Sequence, residues 1–204
     1  MDQAEAWEAA HKRRPWVNVP NQDFLSFMAY TYWGQSGLNF LDLGCGTGAY
    51  TLFLAERDFF VTAVDISKTA CDKLREHLEE KGNGVNVQII HAAISDIKIE
   101  SESFDCVIIG NLLDCIAKEE CIPILKAVKR WLKPEGKLFI RVMNHDLPEV
   151  VSHEGVTIRP FTPEDLIELM HQDYTGGITY TTGYMAEGTP VTNLVTVATI
   201  RPNE

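Results

Sequence analysis

The sequence predicts an α/β fold, in which helices flank a mostly parallel sheet that ends in an antiparallel hairpin. From residue 38 onward, short apolar runs alternate with stretches of helical periodicity, as expected for parallel strands joined by crossover helices. A glycine-rich turn follows the first of these runs. The last two runs have no helix between them, so we expect them to pair as a hairpin.

Each element is bounded by its own local signal. Strands are predicted at residues 38–43, 60–65, 85–91, 104–109 and 137–142, with the hairpin at 177–184 and 191–200. Ser67 is an N-cap for the helix that Gly82 ends. A helix over residues 119–132 has a clear apolar stripe and is broken at residues 134–136. Thr162 caps a helix that ends near residue 172.

Composition limits the classes of function. A length of 204 residues suits one domain, and a net charge of −11 disfavours a nucleic-acid partner. Five cysteines without a Cys-x-x-Cys pair indicate neither a disulfide framework nor a zinc site. The N-terminus has no apolar signal segment, and no run is long enough to span a membrane. We therefore expect a cytoplasmic protein with no membrane contact.

The glycine-rich turn, Asp42-Leu-Gly-Cys-Gly-Thr-Gly48, joins the first strand to the first helix, predicted at residues 47–57. Glycines there let a ligand approach the backbone beyond the carboxyl ends of the strands. The spacing of Gly44 and Gly46 also fits a dinucleotide-binding turn, and Asp65 lies where such folds have a ribose-binding acid. The turn alone leaves both a dinucleotide and a cationic nucleoside open.

Three features favour the cationic ligand. Asp42 precedes the glycines, and a carboxylate there suits a sulfonium and an amine better than a pyrophosphate. The chain is too short to add a substrate domain for hydride transfer. It also has no Tyr-x-x-x-Lys pair of the kind that short-chain dehydrogenases use.

With its surroundings, the turn resembles that of class I S-adenosylmethionine-dependent methyltransferases. The matching segments are Asp42–Gly48, Val61-Thr-Ala-Val-Asp65, Ser103-Phe-Asp105, Leu132-Lys-Pro-Glu-Gly-Lys137 and the terminal hairpin, roughly residues 38–200 in all. The resemblance implies a Rossmann-like, doubly wound, mostly parallel seven-stranded sheet. It also implies S-adenosyl-L-methionine as the methyl donor and S-adenosyl-L-homocysteine as the product.

The resemblance assigns the donor's methionine and ribose to matched positions. Asp42 and the backbone of Gly44, Cys45 and Gly46 would hold the methionine moiety. Asp65 would bind the ribose hydroxyls, because a carboxylate offers two oxygens to two donors.

The adenine end departs from the family pattern. Ile66 would pack on the ring, and the backbone of Ile94 and Ser95 would read its edge. The family often has an acid after the third strand, and here Asp96, three residues beyond that place, either substitutes or is a turn residue. Asn111, after the fourth strand, would lie near the methionine amine or cap its loop.

The transfer itself is an in-line displacement, for which the protein mainly supplies positioning and a dry cleft. His145, after the fifth strand, is the candidate catalytic base; otherwise it is a solvated loop histidine. His145, Asp146 and His153 lack a recognised ligand spacing, so we expect no metal. The acidic charge and the absence of an inserted domain predict a small-molecule acceptor.

Residues 1–37 form a separate segment before the domain of residues 38–204. We expect a helical extension that covers the sheet or its cleft, with Phe24, Phe27 and Met28 on its helix. The aromatic residues there either pack the extension onto the sheet or stack on a flat ligand. They are Trp16, Tyr30, Tyr32 and Trp33.

Three functions remain open at this point. The first is a small-molecule methyltransferase, the second an NAD(P)-dependent oxidoreductase with a Rossmann fold, and the third a non-catalytic S-adenosylmethionine-binding module. Asp42 argues against the second, and turnover with an acceptor would separate the first from the third.

Overall fold

The computed structural model describes residues 2–13, 18–144, 149–152, 154–184 and 190–201. Its strands are β1 (Asn39–Leu43), β2 (Phe60–Asp65), β3 (Val87–His91), β4 (Phe104–Gly110), β5 (Leu132–Met143), β6 (Val150–Val151), β7 (Thr157–Ile158), β8 (Tyr174–Tyr184) and β9 (Pro190–Ile200). Its helices are α1 (Gln3–Arg13), α2 (Gln22–Tyr32), α3 (Ala49–Ala55), α4 (Lys68–Lys81), α5 (Lys118–Trp131) and α6 (Pro163–Met170).

Seven strands form one mixed sheet in the order β3-β2-β1-β4-β5-β9-β8, with helices on both sides. The β1–β2, β2–β3 and β4–β5 pairs are parallel, whereas β9 pairs antiparallel with both β5 and β8. The predicted α/β fold with seven strands and a terminal hairpin is therefore confirmed. The short strands β6 and β7 form a separate antiparallel pair.

The chain divides into two compact units. The first comprises residues 1–98 and 153–156, and the second comprises residues 99–152 and 157–204. One cluster of the first core joins side chains of α3, α4, β2 and the turn after β1, which are Cys45, Leu52, Ala55, Ala63, Leu74 and Leu78. In the second unit the buried Tyr174 hydroxyl donates to the Leu125 carbonyl at 2.7 Å, which joins β8 to α5.

Two predicted helix caps are confirmed. The Ser67 hydroxyl accepts from the Ala70 N–H at 3.2 Å, and Gly82 ends α4 in the left-handed conformation. At α6, the Thr162 hydroxyl accepts from the Asp165 N–H at 3.1 Å, while the Asp165 carboxylate accepts from the Thr162 N–H at 2.8 Å. These reciprocal bonds satisfy donors that a helix start otherwise leaves unpaired.

Three strand starts were predicted wrongly, and β8 is one of them because it begins at Tyr174 and not at residue 177. β3 begins at Val87 because residues 84–86 form a 3-10 turn in which Val85 is exposed. β5 begins at Leu132 and runs through the predicted break. Its pairing with β4 jumps from Leu132 to Lys137, so residues 133–136 lie outside the regular ladder, and a proline there removes no ladder hydrogen bond.

The N-terminal segment holds a helix that the sequence analysis missed. α1 precedes the predicted helix, which the structure places at α2. The aromatic residues of this segment differ in solvent exposure, since Tyr32 is buried whereas Tyr30 and Trp33 are exposed. Trp16 lies outside the described residues. Within the described part of the chain, no helix has the length and apolar character that crossing a membrane requires. A cytoplasmic location stays a prediction.

Candidate functional site

The glycine-rich turn lies at the carboxyl end of β1, where it is bonded to the end of β2. The Gly44 and Cys45 N–H groups both donate to the Val64 carbonyl, at 2.8 and 3.0 Å. Gly48 then has a φ of 100°, and a Cβ on it would stand 2.3 Å from the Leu74 Cδ1. Glycine at residue 48 thus allows both the tight turn and the close packing of α3 against α4.

Asp65 connects this turn to α4. Its Oδ2 accepts from the Gly46 N–H and its Oδ1 from the Ser67 N–H, both at 2.8 Å. A carboxylate has about four acceptor positions, so each oxygen can accept one further donor. The Asp65 side chain is therefore fixed by the backbone on two sides and retains capacity for two hydroxyl donors.

Asp42 is more deeply buried, with 1% of its surface exposed. Its Oδ2 accepts from the Thr51 hydroxyl at 2.7 Å. Burial raises the pKa of Asp42 from 3.8 to about 7, opposed by the Thr51 hydrogen bond and reinforced by the charge of Asp65. Ionising this buried carboxyl costs free energy, and a cationic ligand would offset that cost because it stabilises the charged form.

Cys45 lies between these two carboxylates in the chain. Its thiol is buried and lies 3.6 Å from the Gly46 carbonyl, to which it donates. Burial raises the pKa of Cys45 well above its usual value of 9.0, and the charges of Asp42 and Asp65 raise it further.

Hydrogen bonds within the protein limit which backbone groups of the turn remain available to a ligand. The N–H groups of Gly44, Cys45 and Gly46 all donate within the protein. Sequence reasoning assigned this backbone to the donor's methionine without distinguishing N–H from carbonyl groups. Carbonyl oxygens accept hydrogen bonds, so a ligand held here by the backbone would have to be a donor, such as an amine.

The residues predicted to surround adenine follow β2 and β3 in the same unit. Ile66 is partly exposed, and its carbonyl lies 3.0 Å from His91 Nε2. Ile94, Ser95 and Asp96 form a 3-10 turn. Asp96 is exposed and accepts from the Ser95 hydroxyl at 2.9 Å. The Ala92 N–H donates to the Asp65 carbonyl at 3.0 Å, which ties this turn to β2.

Asn111 lies in the second unit, in the left-handed conformation with a φ of 56°. Its Oδ1 accepts from Arg141 Nη1 at 2.7 Å, and its N–H donates to the Arg141 carbonyl at 2.7 Å. Its amide oxygen is thus bonded within the protein, and a role near the methionine amine stays a prediction. His145, Asp146 and His153 lie outside the described residues.

Sequence reasoning missed Glu8 of α1, which binds the start of α4. Its carboxylate accepts from the Ser67 hydroxyl at 2.8 Å and from the Thr69 N–H and hydroxyl at 3.0 and 2.6 Å. Burial alone would raise the pKa of Glu8, but these bonds and Lys12 lower it to about 2. A negative charge at this helix N-terminus is also favoured by the helix dipole.

His11, also on α1, lies over the turn. It is 3% exposed, and its Nε2 would stand 3.7 Å from a Cβ on Gly46. Burial lowers the pKa of His11, against the opposing charge of Asp65. Its carbonyl accepts from Lys73 Nζ at 2.5 Å. The helical spacing of the buried Ala6 and Ala10 was the sequence signal that could have revealed this helix.

The chain between α1 and α2 adds two further bonds. Asn18 Oδ1 accepts from the Thr47 hydroxyl at 2.5 Å, and Asn21 Oδ1 accepts from the Tyr50 hydroxyl at 2.6 Å. Thr47 belongs to the glycine-rich turn and Tyr50 to the first turn of α3. Side chains from the N-terminal segment therefore reach the turn, α3 and α4.

Comparisons with known proteins identify the family. A model of the methyltransferase domain matches residues 40–136. The ubiquinone biosynthesis O-methyltransferase of Coxiella burnetii is 30% identical over 173 residues, which cover 81% of this chain and 70% of that protein. The chain belongs to the class I S-adenosylmethionine-dependent methyltransferases. The protein of the same name from Idiomarina loihiensis is 33% identical, over 56% of this chain and 46% of that protein.

Solved structures of other methyltransferases share the fold. An S-adenosylmethionine-dependent methyltransferase from Methanosarcina mazei has a TM-score of 0.76 at 19% identity, covering 91% of this chain and all of the other. A 1,6-didemethyltoxoflavin-N1-methyltransferase from Burkholderia thailandensis, with S-adenosylhomocysteine bound, has a TM-score of 0.72 at 21% identity, covering 89% and 78%. At such identities the likeness concerns the fold alone.

The buried carboxyl of Asp42 predicts a stability gain when its charge is removed. Because the pKa of Asp42 is raised from 3.8 to about 7 in the fold, its ionisation destabilises the folded state increasingly as the pH rises through that window. Asp42→Asn keeps an acceptor for Thr51. We expect the melting temperature to rise at pH 8, by roughly 2–4 °C for each kcal/mol of the ionisation penalty that the substitution removes.

The same variant compared at pH 3 and pH 8 tests the cause. The gain should nearly disappear near pH 3, which is below the ordinary pKa of 3.8, because the carboxyl is then mostly protonated in both states. An equal gain at both pH values would mean that the charge of Asp42 is not responsible. Thr51→Val provides the complementary variant, because it leaves the carboxyl without its hydroxyl donor and should destabilise the protein.

Proposed function

We propose that this protein transfers a methyl group from S-adenosylmethionine to a small-molecule acceptor. The arrangement of Asp65 is the observation that supports this proposal best. Its two oxygens are held by the Gly46 and Ser67 N–H groups and can each accept a ribose hydroxyl. Family membership supports the same chemistry, although the matched regions of the first two relatives span 46% and 70% of their lengths.

The other roles in donor binding follow from charge and hydrogen-bonding capacity. Asp42 would stabilise the cationic methionine part of the donor through its charge. Gly44 and Gly46 would accept from the donor's amine through carbonyl oxygens, because their N–H groups are engaged. Ile66 would cover the adenine face. No metal is needed for this chemistry, because the sulfonium is already an activated leaving group.

Titration calorimetry with S-adenosylhomocysteine tests the donor site. We expect micromolar binding to the wild type. The Asp65→Ala variant should bind roughly 100-fold more weakly, because two hydrogen bonds to a charged acceptor are worth about 3 kcal/mol. Asp72, a partly exposed residue of the adjacent α4, supplies a control in Asp72→Ala, whose affinity should match the wild type. Binding of NAD in place of S-adenosylhomocysteine would contradict the proposal and favour the NAD(P)-dependent oxidoreductase hypothesis.

We also propose oxygen as the methylated atom, because the relatives named above are O-methyltransferases. A hydroxyl becomes a strong nucleophile only when its proton is removed, so His145 stays our candidate general base. Replacing it in His145→Ala should lower kcat by about 10²- to 10⁴-fold and leave S-adenosylhomocysteine affinity unchanged. Full turnover of an identified acceptor by this variant would eliminate the role.

Residues 1–37 are proposed to act as a lid on the donor site. The bonds from Glu8 to Ser67 and Thr69 fasten α1 to α4, and His11 then lies over Gly46. A donor bound at Asp65 would be shielded from water by this helix. The lid must open for donor exchange, and the Glu8 bonds are the contacts that opening would break.

Glu8→Ala should therefore loosen the lid without unfolding the domain. We expect amide hydrogen exchange in α1 to accelerate about tenfold or more, corresponding to at least 1.4 kcal/mol, and S-adenosylhomocysteine to dissociate faster. Glu5→Ala removes the same charge from an exposed position of α1 and should change neither rate. Equal effects of both substitutions would show that helix charge, and not the Glu8 bonds, holds α1.

A further inference from the structure

Asp42 is a buried carboxyl without a positively charged partner. It lies near the end of β1, is 1% exposed, and forms no ion pair within the described part of the chain. Ionising a carboxyl that is removed from water and has no counter-charge costs free energy. Burial therefore raises the pKa of Asp42 to about 7, so that the free protein keeps this carboxyl mostly protonated in slightly acidic solution.

The groups around Asp42 do not supply the missing positive charge. Asp65 of β2 and the Cys45 thiol are the titratable groups near it, and the charge of Asp65 opposes the ionisation of Asp42. His11 of α1 lies over the same turn, at Gly46, but burial lowers the pKa of its ring, which is therefore mostly neutral at pH 7. An ammonium bound at the turn would stabilise the Asp42 carboxylate where these groups do not.

Thr51 of α3 is the residue that favours the charged form of Asp42. Its side chain is fully buried, and its hydroxyl donates to Asp42 Oδ2 at 2.7 Å. The hydroxyl and the backbone N–H of Thr51 both lower the pKa of Asp42, although burial has the larger effect. Without the hydroxyl, Asp42 would hold its proton more tightly. Thr51 therefore determines both the orientation of this carboxyl and how readily it ionises.

We propose that Thr51 is a positioning residue of the donor site, and that its hydroxyl enables Asp42 to release a proton when the ammonium of the donor's methionine part binds. The inference rests on the proposed methyl transfer and adds a proton linkage to donor binding. The O–H bond of the carboxyl breaks, the proton passes to the solvent, and the carboxylate pairs with the ammonium. Affinity should therefore rise with pH until Asp42 is already ionised in the free protein.

Titration calorimetry in two buffers that differ in ionisation enthalpy counts the protons released for each ligand bound. S-adenosylhomocysteine carries the ammonium, whereas 5′-methylthioadenosine has the same thioether nucleoside without the amino acid. At pH 6 we expect S-adenosylhomocysteine to release nearly one proton and 5′-methylthioadenosine to release none. At pH 8 the release should be small, because Asp42 is then mostly ionised before the ligand binds.

Variants of the full chain identify the source of the proton. Asp42→Asn should bind S-adenosylhomocysteine without proton release, whereas Asp72→Asn removes a partly exposed carboxyl of α4 and should release as much as the wild type. In Thr51→Val the pKa of Asp42 should rise further, so that affinity at pH 6 falls about tenfold for each pKa unit. The pH at which affinity levels off should also increase, and Thr51→Ser should restore both values.

Each result has a defined meaning. If Thr51→Val changes the melting temperature but not the pH at which affinity levels off, Thr51 is only structural and the proposal is wrong. Equal proton release with 5′-methylthioadenosine, or undiminished release in Asp42→Asn, would overturn the role of Asp42. The comparison of the two ligands uses the wild type, so it decides even where a variant fails to fold.

Failure of the proton linkage is distinguishable from failure of donor binding. The dissociation constant reports binding, whereas the number of protons is obtained separately from the dependence of the heat on the buffer. Binding of S-adenosylhomocysteine without proton release at pH 6 would overturn the inference and leave the proposed methyl transfer in place. Absence of binding by both ligands would overturn the proposed function, and the inference with it.

Discussion

Asp65 accepts one backbone N–H on each of its oxygens, and the glycine-rich edge of the first unit depends on this pair of bonds. One bond holds Gly46 in the glycine-rich turn and the other holds Ser67 at the start of α4. The Ser67 hydroxyl in turn accepts from the Ala70 N–H and donates to Glu8. The turn, α4 and α1 are therefore positioned by one hydrogen-bonded chain that begins at a single carboxylate.

Two acidic groups near this edge, Glu8 and Asp42, have pKa values that the fold shifts in opposite directions. Glu8 is stabilised in its charged form, and its pKa falls to about 2. Asp42 is destabilised in that form, and its pKa rises to about 7. The charge of Glu8 therefore stabilises the native structure. The charge of Asp42 destabilises it, and a cationic ligand would offset that destabilisation. This contrast is typical of proteins in which ligand-binding groups are less stable than structural ones.

Sequence reasoning was most successful where local chemistry decides the conformation. The caps at Ser67 and Thr162 depend on neighbouring residues, so they could be predicted. The β2 strand could be predicted as well, because it is a short apolar run that ends in Asp65. The path of residues 133–136 could not, because it depends on the register between β4 and β5. Pairing register is a tertiary property that a proline and a glycine alone do not specify.

The candidate site was predicted in the same uneven way. Asp42 and the glycines form a contiguous pattern, and Asp65 ends the next strand, where a ribose-binding acid is expected. Glu8, in contrast, is separated from Thr69 by 61 positions, and a lone glutamate on an alanine-rich segment has no local feature that marks such a contact.

The burial of Cys45 has a chemical consequence for a methyltransferase. A thiolate is a strong nucleophile towards a methyl sulfonium, and Cys45 lies within the turn that would hold one. Because burial and two nearby carboxylates raise its pKa well above 9.0, the sulfur stays protonated and poorly reactive. With the donor placed as proposed, the same negative surroundings would protect the protein from alkylating its own Cys45.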